Sequence, residues 1–392
     1  MTQTAFQQSF QPTTPCFGVR SLMVDGFRSF RALNLSLSQA PVVLTAPNGS
    51  GKTNILEALS LFSPGRGLRS ATCAEMQQHA HQHPWQVGIA LEDNGLPISL
   101  GTQRQAEMQT ERRLVKHEGE ILKNQACLTD YLSVVWFTPL MGSLLSDGSQ
   151  AQRQFIDRLV FSFEPIHAKK RTMYDKLLRE RNAILKDYPP STYKEWLDPI
   201  ESKLADLSYD LTHSRHHILA QLEEKQSTTP LFPRFSCQME GESDTLYTHI
   251  RSKEACVNAL REQYLRSRPL DKIKGTTRIG PHRSKLVVTH TAKQMPARFC
   301  STGEQKMLVL AMILAFVKIP VVSPHSVGLL LLLDDVMDHL DSQHRGVLLE
   351  DVMSLRQGRK SQVWMTGSCV HAFAPLQHQA QFLELNDLGI NL

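Results

Sequence analysis

The stretch that decides the fold reads Ala46-Pro47-Asn48-Gly49-Ser50-Gly51-Lys52-Thr53. The apolar run before it, residues 41–45, predicts a buried strand, and residues 54–59 after it predict the start of a helix. A glycine-rich turn between a strand and a helix, closed by Lys-Thr, is the context of a P-loop. Its backbone N–H groups point into the turn, and the helix N-terminus adds partial positive charge. The stretch therefore predicts a phosphate-binding loop.

The side chains of this loop predict a nucleoside triphosphate with Mg²⁺ as its ligand. Lys52 is expected to reach the β- and γ-phosphates, and the Thr53 hydroxyl is expected to lie on Mg²⁺. The motif usually opens with glycine, and Ala46 stands at that position here. If the position needs a positive φ, alanine costs on the order of 1 kcal/mol, whereas it costs little if only a small side chain is needed. The candidate nucleotide-binding residues of the loop are Asn48, Gly49, Ser50, Gly51, Lys52, Thr53 and Asn54.

A second motif joins five leucines to two carboxylates. Residues 329–333 predict a central buried strand, and Asp334 and Asp335 follow it directly, which is the Walker B pattern. Asp334 is expected to hold Mg²⁺, directly or through water. Asp335 occupies the position that orients the attacking water or accepts its proton.

A third motif predicts that two copies of the chain share the nucleotide. Residues 301–306 read Ser-Thr-Gly-Glu-Gln-Lys and precede a helix predicted over residues 303–318. Ser301 and the amides behind it, including that of Gly303, make a second anion site at a helix N-terminus. One chain cannot bring this site to its own P-loop, so a second copy must supply it. Asp341 lies in a turn of the kind that crosses such a dimer interface.

Length and composition exclude several classes of protein. The 392 residues suggest two or three domains, and 41% hydrophobic with 21% charged residues is ordinary for a globular chain. No apolar run is long enough to span a membrane, and no secretory signal precedes the first strand, so we expect a cytoplasmic protein. The seven cysteines show no C-x-x-C spacing. The net charge of +5 permits contact with nucleic acid without requiring it.

The type of secondary structure that the sequence predicts changes twice along the chain. Strand patterns dominate before about residue 150 and return after about residue 270, and long amphipathic helices are predicted between them. Pro189-Pro190 separates two of these helices, as at a helix–helix corner. We therefore expect a disordered tail over 1–18, an α/β lobe whose halves cover 19–160 and 271–392, and an inserted helical lobe over 161–270.

At this point the chain resembles the RecF family of bacterial DNA replication and repair ATPases, over about residues 19 to 392. The interval between Lys52 and Ser301 is much longer than in transporter-type nucleotide-binding domains and suits ATPase heads of the chromosome-maintenance type. The Gly-Pro-His-Arg block at 280–283, together with 301–306, is the most specific part of the match. The other matching segments are 25–30, 48–54, 64–69, 153–157 and 334–341, with His344 and Leu348.

The resemblance implies a P-loop ABC-type ATPase lobe similar to the Rad50 head, with mixed sheets and helices and an inserted helical lobe. It also implies binding of ATP and Mg²⁺, ATP-driven dimerisation, slow DNA-stimulated hydrolysis and DNA binding. In the family, RecF works with RecO and RecR to load RecA at gapped DNA covered by single-strand binding protein. Asp335, Lys52 and Ser301 are the catalytic candidates that follow.

Some positions depart from the family pattern. Leu140 stands where many relatives carry Glu, Lys285 lies near a usually acidic position, and Gln152-Arg153 replaces a pair of arginines. The glutamine that related ATPases use at the nucleotide is either Gln150 or Gln152. No histidine aligns with their switch residue, because His371 comes three residues late, so Ser368 is expected to take part of that role or hydrolysis to be slow.

Basic residues of the helical segment are the candidates for DNA contact, because phosphates dominate DNA affinity. For any single residue, a solvated helix face is the more ordinary explanation. Arg283 has a further option, which is to brace the nucleotide or the dimer interface. No pattern suggests base readout, so contacts to the DNA backbone are expected. The candidates are Lys169, Lys170, Arg266, Arg268, Lys272 and Lys274.

Two other functions fit the motifs. One is an ABC-type ATPase subunit without a DNA role, and the other is a nucleotide-gated scaffold that hardly hydrolyses ATP. The inserted helices and the Gly-Pro-His-Arg block argue against the first. Ala46 and the missing switch histidine keep the second open.

Overall fold

The computed structural model describes residues 17–107, 110–227, 231–320, 327–358 and 360–385. The predicted tail over 1–18 lies outside the described residues except for Phe17 and Gly18, which begin the first strand. No helix in these ranges is long and apolar enough to cross a membrane.

The first sheet is antiparallel and contains six strands in the order β2-β1-β4-β5-β6-β7. The predicted hairpin turn lies between β4 and β5, where Asn94 and Gly95 both have positive φ, at 50° and 83°. This conformation matches the twist of the paired strands and favours Asn-Gly. The strands are β1 (Phe17–Phe27), β2 (Phe30–Ser36), β4 (Gln86–Asp93), β5 (Leu96–Glu107), β6 (Thr110–His117) and β7 (Glu120–Ile121).

The second sheet carries the predicted motifs. It is parallel, in the order β14-β3-β13-β12-β8. The four strands other than β14 are buried along their whole length, which explains their continuous apolar sequences. Because the strands are parallel, the residues that follow β3, β12 and β13 meet at one edge. The strands are β3 (Val42–Thr45), β8 (Leu132–Phe137), β12 (Gly328–Leu333), β13 (Ser361–Gly367) and β14 (Gln381–Glu384).

A small third sheet and the helices complete the fold. The third sheet is antiparallel, in the order β11-β10-β9, with β9 (Phe235–Glu240), β10 (Lys285–His290) and β11 (Met295–Pro296). The pattern of the sequence did not predict β9, β14, α5 or α8. The helices are α1 (Lys52–Ser60), α2 (Ser149–Phe161), α3 (Ile166–Asp187), α4 (Tyr193–Glu224), α5 (Glu242–His249), α6 (Lys253–Lys274), α7 (Thr302–Val317) and α8 (Ser342–Gly358).

Two large hydrophobic clusters organise the packing. One joins the sheets with α1, α2 and α7, and the other lies between α3, α4 and α6 around Tyr174, Leu211 and Tyr264. Helix α4 contributes to both, since its last turns place Leu219 and Leu222 in the first cluster. One rigid helix therefore links the two cores, and the division of the chain at 160 and 270 stays a prediction.

Candidate nucleotide site

The P-loop is shaped by two glycines with positive φ, Gly49 at 86° and Gly51 at 96°. A Cβ atom on Gly51 would lie 2.8 Å from Phe30 Cζ, so both the backbone conformation and the close approach of the ring require glycine. Ala46, in contrast, does not adopt a positive φ and is buried. Position 46 thus needs only a small side chain, and the departure from glycine costs little here.

Lys52 is the first residue of α1 and only 4% of it is exposed. Its Nζ donates to the backbone oxygens of Ala46 at 2.8 Å and Pro47 at 3.1 Å. The ammonium group is therefore held against its own loop by neutral acceptors, and no carboxylate among the described residues pairs with it.

The Walker B carboxylates lie beside the loop. Thr53 Oγ1 is 3.0 Å from both carboxylate oxygens of Asp334. On the other side, Thr366 Oγ1 donates to Asp334 Oδ1 at 2.9 Å and accepts a hydrogen bond from the backbone N of Asp335 at 2.8 Å. Burial raises the pKa of Asp334, and the neighbouring Asp335 raises it further against the hydrogen bonds from the two threonines. Asp335 itself has φ 42°, in the left-handed region.

This group of oxygen atoms fits Mg²⁺. A hydroxyl and a buried carboxylate are the hard ligands that the ion prefers, and it usually keeps several waters in addition. A cation here would offset the burial that raises the pKa of Asp334. Within the described ranges, no group of three or more His, Cys, Asp or Glu side chains forms an alternative metal site. Thr53 and Asp334 are thus the residues that would hold the ion.

An arginine–glutamate cluster supports the other side of α1. Glu57 is fully buried, and Arg28 pairs with it through two hydrogen bonds of 2.8 and 2.6 Å. Arg69 reaches the same carboxylate at 3.0 Å and also donates to Asn54 Oδ1 at 2.8 Å. Asn54 in turn donates to Ser29 Oγ. Asn54 is therefore held by the β1–β2 turn and by the 64–69 segment. The P-loop motif in the sequence did not indicate either contact.

The Ser301 motif forms a separate group. Ser301 caps α7 in a capping box with Glu304, and Lys293 pairs with Glu304 and holds the pKa of that carboxyl at about 2. Ser301 and Gly303 are exposed and line a cavity of about 880 Å³ together with Phe232 and His344. The motif therefore presents an open helix N-terminus.

Asp341 caps α8. It accepts hydrogen bonds from the backbone N of Gln343 and of His344, and from the His344 ring. Among the described residues, no hydrogen bond or ion pair joins Ser301, Gly303 or Asp341 to the loop at 46–54 or to Asp334 and Asp335. Within one chain the two groups are thus separate.

Of the candidates for the glutamine and switch positions, Gln152 and Ser368 bond to groups other than the Walker B carboxylates. Gln152 is buried and bonds to the backbone of Leu145, Asp147 and Leu286, whereas Gln150 is exposed. Ser368 donates to Asp338 Oδ1 at 3.2 Å. The residue that touches both Walker B aspartates is instead Thr366, which sequence reasoning missed.

Comparisons with known proteins agree on the family. The family model of the RecF/RecN/SMC N terminal domain matches residues 18–373. The DNA replication and repair protein RecF of Rickettsia rickettsii (strain Sheila Smith) is 34% identical over 373 residues, which are 94% of this chain and 99% of that protein. This chain belongs to the RecF family.

Further relatives extend the comparison. The RecF protein of Rhizobium rhizogenes is 35% identical over 95% of this chain and 98% of its own length. A solved structure of the recombination mediator protein RecF-ATP in the RecFOR pathway matches with a TM-score of 0.73 and 19% identity, over 90% of this chain and 92% of that one. The fold of this RecF-family chain is thus that of an ABC-type ATPase.

The Gly-Pro-His-Arg block of this RecF-family chain lies where the helices join the third sheet. Arg215 donates to the backbone O of Pro281 at 2.7 Å and pairs with Asp157 through two further hydrogen bonds. Burial alone would raise the pKa of Asp157, but Arg215 and His167 hold it well below its usual range. His282 Nδ1 lies 2.7 Å from the Tyr174 hydroxyl. The block therefore ties α3 and α4 to β10.

Most of the DNA candidates are already paired. Lys169 lies 2.7 Å from Asp130, Lys170 lies 2.7 Å from Asp210, and Arg266 pairs with Glu262. Arg268 is held by Glu201 and Asp198 at 2.6 Å, with 11% of its side chain exposed.

The last two candidates differ from these four. Lys272 donates to the Tyr188 carbonyl and the Tyr193 hydroxyl. Lys274 is exposed, and no carboxylate among the described residues pairs with it. Among the described residues, Lys274 is therefore the one candidate of the six whose side chain has neither a carboxylate partner nor a hydrogen bond.

Proposed function

We propose that this chain is an ATP-dependent DNA-binding protein of replication restart and recombinational repair, which dimerises on ATP and hydrolyses it slowly. The observation that carries the proposal is the contact of Thr53 with both oxygens of Asp334, next to Lys52 on the P-loop. The relatives named above are DNA replication and repair proteins. A neighbour of the same fold is a RecF-ATP structure, which supports ATP as the nucleotide.

In this proposal the residues of the loop bind the triphosphate. Backbone N–H groups of 48–54 and of the N-terminus of α1 donate hydrogen bonds to the phosphate oxygens, and Lys52 moves from the loop carbonyls to the β- and γ-phosphates. Thr53 and Asp334 would hold Mg²⁺, which would neutralise negative charge at the phosphates when bound. Asp335 orients the attacking water or accepts its proton, and Thr366 holds the backbone of Asp335 in place.

The second half of the site comes from a second copy of the chain. Ser301 and Gly303 present an exposed helix N-terminus, which is suited to the γ-phosphate of the opposite protomer. Asp341 lies at the start of α8, in the turn that follows Walker B, and is expected at the interface. ATP then serves as the ligand that joins two chains, and its hydrolysis releases them.

The proposed biological role follows the family. The protein binds DNA through backbone contacts, has weak DNA-stimulated ATPase activity, and helps load recombinase at single-stranded gaps in the cytoplasm. RecR-like and RecO-like proteins are its proposed partners. The RecFOR pathway in which the neighbouring structure is placed supports this part of the proposal.

Sedimentation of the purified chain with Mg²⁺, with and without ATP, tests the proposal. An ATP-dependent shift from monomer to dimer is expected, and Asp335→Asn should strengthen it because bound ATP is no longer hydrolysed. Lys52→Ala is the control and should show no shift. Monomers at saturating ATP, with DNA present, would contradict the proposed dimer.

Two further experimental results distinguish the proposed function from its alternatives. No binding to any form of DNA at low salt would identify a non-DNA ATPase instead. Turnover by Asp335→Asn that equals the wild-type rate would identify a scaffold without meaningful hydrolysis.

A further inference from the structure

A small cavity of about 330 Å³ lies where α6 ends and the chain turns towards β10. Four residues line it, and three of them are cations: Lys274, Thr276, Arg278 and Arg283. No carboxylate and no aromatic side chain is among these lining residues. We call this group the 274–283 site.

The hydrogen bonds of the 274–283 site arrange it for an anion. Arg283 is oriented by the backbone O of Thr277, which accepts from its Nε at 3.2 Å and from its Nη2 at 3.0 Å. The same Nη2 donates to Thr276 Oγ1 at 3.1 Å. Because that oxygen acts as the acceptor, the Thr276 hydroxyl keeps its own hydrogen to donate. Three positive charges and one hydroxyl donor thus surround one small volume.

The positive charge at this site is not compensated by its neighbours. The carboxylate nearest in sequence, Asp271, is buried and committed to Arg181 at 2.8 Å and to the backbone N of Arg278. Arg153 lies close by and donates to the Ser284 carbonyl, while its buried Nε has no partner. Burial, together with the charges of Arg215 and Arg171, lowers the pKa of Arg153 to about 10. Among the described residues, no carboxylate pairs with Lys274, Arg278 or Arg283, so the site carries positive charge that suits an external anion.

We propose that the 274–283 site binds a phosphodiester group of the DNA backbone. The inference rests on the proposed function, and it names the place of contact. Three cations and a hydroxyl suit the oxygens of a phosphate group. The lining offers nothing for a base to stack on, which favours backbone contact over readout of single-stranded bases. The four candidates already paired with carboxylates would have to give up an ion pair to bind DNA, whereas Lys274 and Arg278 would not.

The test compares two double variants of equal charge change. Lys274→Gln with Arg278→Gln removes two free cations, and the matched control, Lys169→Gln with Lys170→Gln, removes two paired ones. Affinity for a duplex is measured across a salt series. The plot of log K against log salt has a negative slope, and losing two phosphate contacts should reduce its magnitude by about 1.8. Affinity near 0.1 M salt should fall by roughly 10- to 100-fold. The control should stay within about threefold of wild type.

The outcomes are distinguishable from a failure of the proposed function. Wild-type binding with an unchanged slope in Lys274→Gln/Arg278→Gln overturns the inference and leaves the DNA-binding function intact. If wild type itself fails to bind DNA at low salt, the proposed function fails, and the DNA source of the phosphate fails with it.

A last arm separates a DNA phosphate from a free one. Pyrophosphate is titrated into a Lys52→Ala background, with and without Lys274→Gln/Arg278→Gln. Suppose that pyrophosphate binds saturably, that the double variant loses this binding, and that wild type does not bind DNA. The site then belongs to a free phosphate compound, and the proposed contact with the DNA backbone is overturned. If pyrophosphate does not bind and the double variant binds DNA as wild type does, the 274–283 site is not an anion site at all. Equal thermal unfolding midpoints of Lys274→Gln/Arg278→Gln and wild type show that these two exposed substitutions leave the fold unchanged.

Discussion

The hydroxyl of Thr366 donates to Asp334 Oδ1 at 2.9 Å. Thr366 is fully buried at the end of β13, and Asp334 follows β12, so the contact joins neighbouring parallel strands. The same oxygen accepts from the backbone N of Asp335, which has φ 42°. One threonine thus holds the Walker B carboxylate and the strained residue after it in a single arrangement.

Thr366→Val should therefore impair hydrolysis more than binding. Valine keeps the shape but leaves the amide of Asp335 without its acceptor, at a cost of about 1–3 kcal/mol. We expect ATP turnover to fall by roughly tenfold or more, while ATP affinity changes by less than about threefold. Single-turnover hydrolysis and nucleotide titration measure the two quantities. Thr366→Ser retains the hydroxyl and should keep most of the wild-type rate. Equal turnover by Thr366→Val and Thr366→Ser would show that the hydroxyl has no role in hydrolysis.

Ser301→Ala and Lys52→Ala should fail at different steps. Ser301 and its partners share no hydrogen bond with the P-loop in one chain, so Ser301→Ala should leave ATP binding by monomers nearly intact and weaken the ATP-dependent dimer. Lys52→Ala should remove both, because Lys52 belongs to the loop itself. Nucleotide titration at low protein concentration, followed by sedimentation, separates the steps. Loss of monomer binding in Ser301→Ala would mean that the site is not shared.

Gly280→Ala should destabilise the junction of the helices with β10. Gly280 has φ 122°, and a Cβ atom would lie 2.2 Å from the Tyr174 hydroxyl and 2.6 Å from that of Tyr264. Backbone strain and overpacking together should lower the free energy of unfolding by at least about 2 kcal/mol. Gly346→Ala is the control, since it lies in α8 with open space around it and should gain about 0.5–1 kcal/mol. Urea denaturation measures both, and similar values for the two variants would contradict the argument.

His282 should make stability depend on pH. Burial, together with the charges of Arg283, Arg171 and Arg153, lowers its pKa to about 4 against the hydrogen bond to Thr277. Between pH ~6.5 and ~4 the unfolded chain binds a proton at this residue and the folded chain does not, so the free energy of unfolding falls as pH falls. The full effect is about 3 kcal/mol, and it vanishes above pH ~6.5.

The measurement for His282 is urea denaturation across this range for wild type and His282→Gln. Glutamine offers the Tyr174 hydroxyl an acceptor but does not titrate. The difference between the two proteins should therefore shrink as pH falls, and a difference that is constant from pH 7.5 to 5 would refute the assignment.

Local patterns predicted most of the elements that carry the site. The strand before residue 46, the helix after residue 51 and the strand before Asp334 all form as expected. The two long helices predicted on either side of Pro189-Pro190 also form, as α3 and α4. Helix α5 lacks such a pattern, because only Ser243 and Asp244 of its eight residues are buried. Strand β9 does alternate buried and exposed residues, and our prediction from the sequence missed it.

The partners of the basic residues were beyond prediction. Arg268 looks like any other cation in the sequence, yet it packs against Glu201 and Asp198, which lie 67 and 70 residues away along the chain. Only the packing of α6 on α4 brings these groups together. A count of basic residues therefore overestimated the surface available to DNA. Lys274 was a predicted candidate, but only the structure shows that it lines one cavity with Arg278 and Arg283.

The sequence by itself determined the P-loop, the Walker B strand, the capped helix at Ser301 and the family, because each depends on neighbours within a few residues. The tertiary structure decided that Thr366 stands against Asp334, that Ala46 needs no positive φ, and which cations remain free. These features depend on strand register and on how helices pack. Contacts of this kind form between residues far apart along the chain, so no local periodicity encodes them.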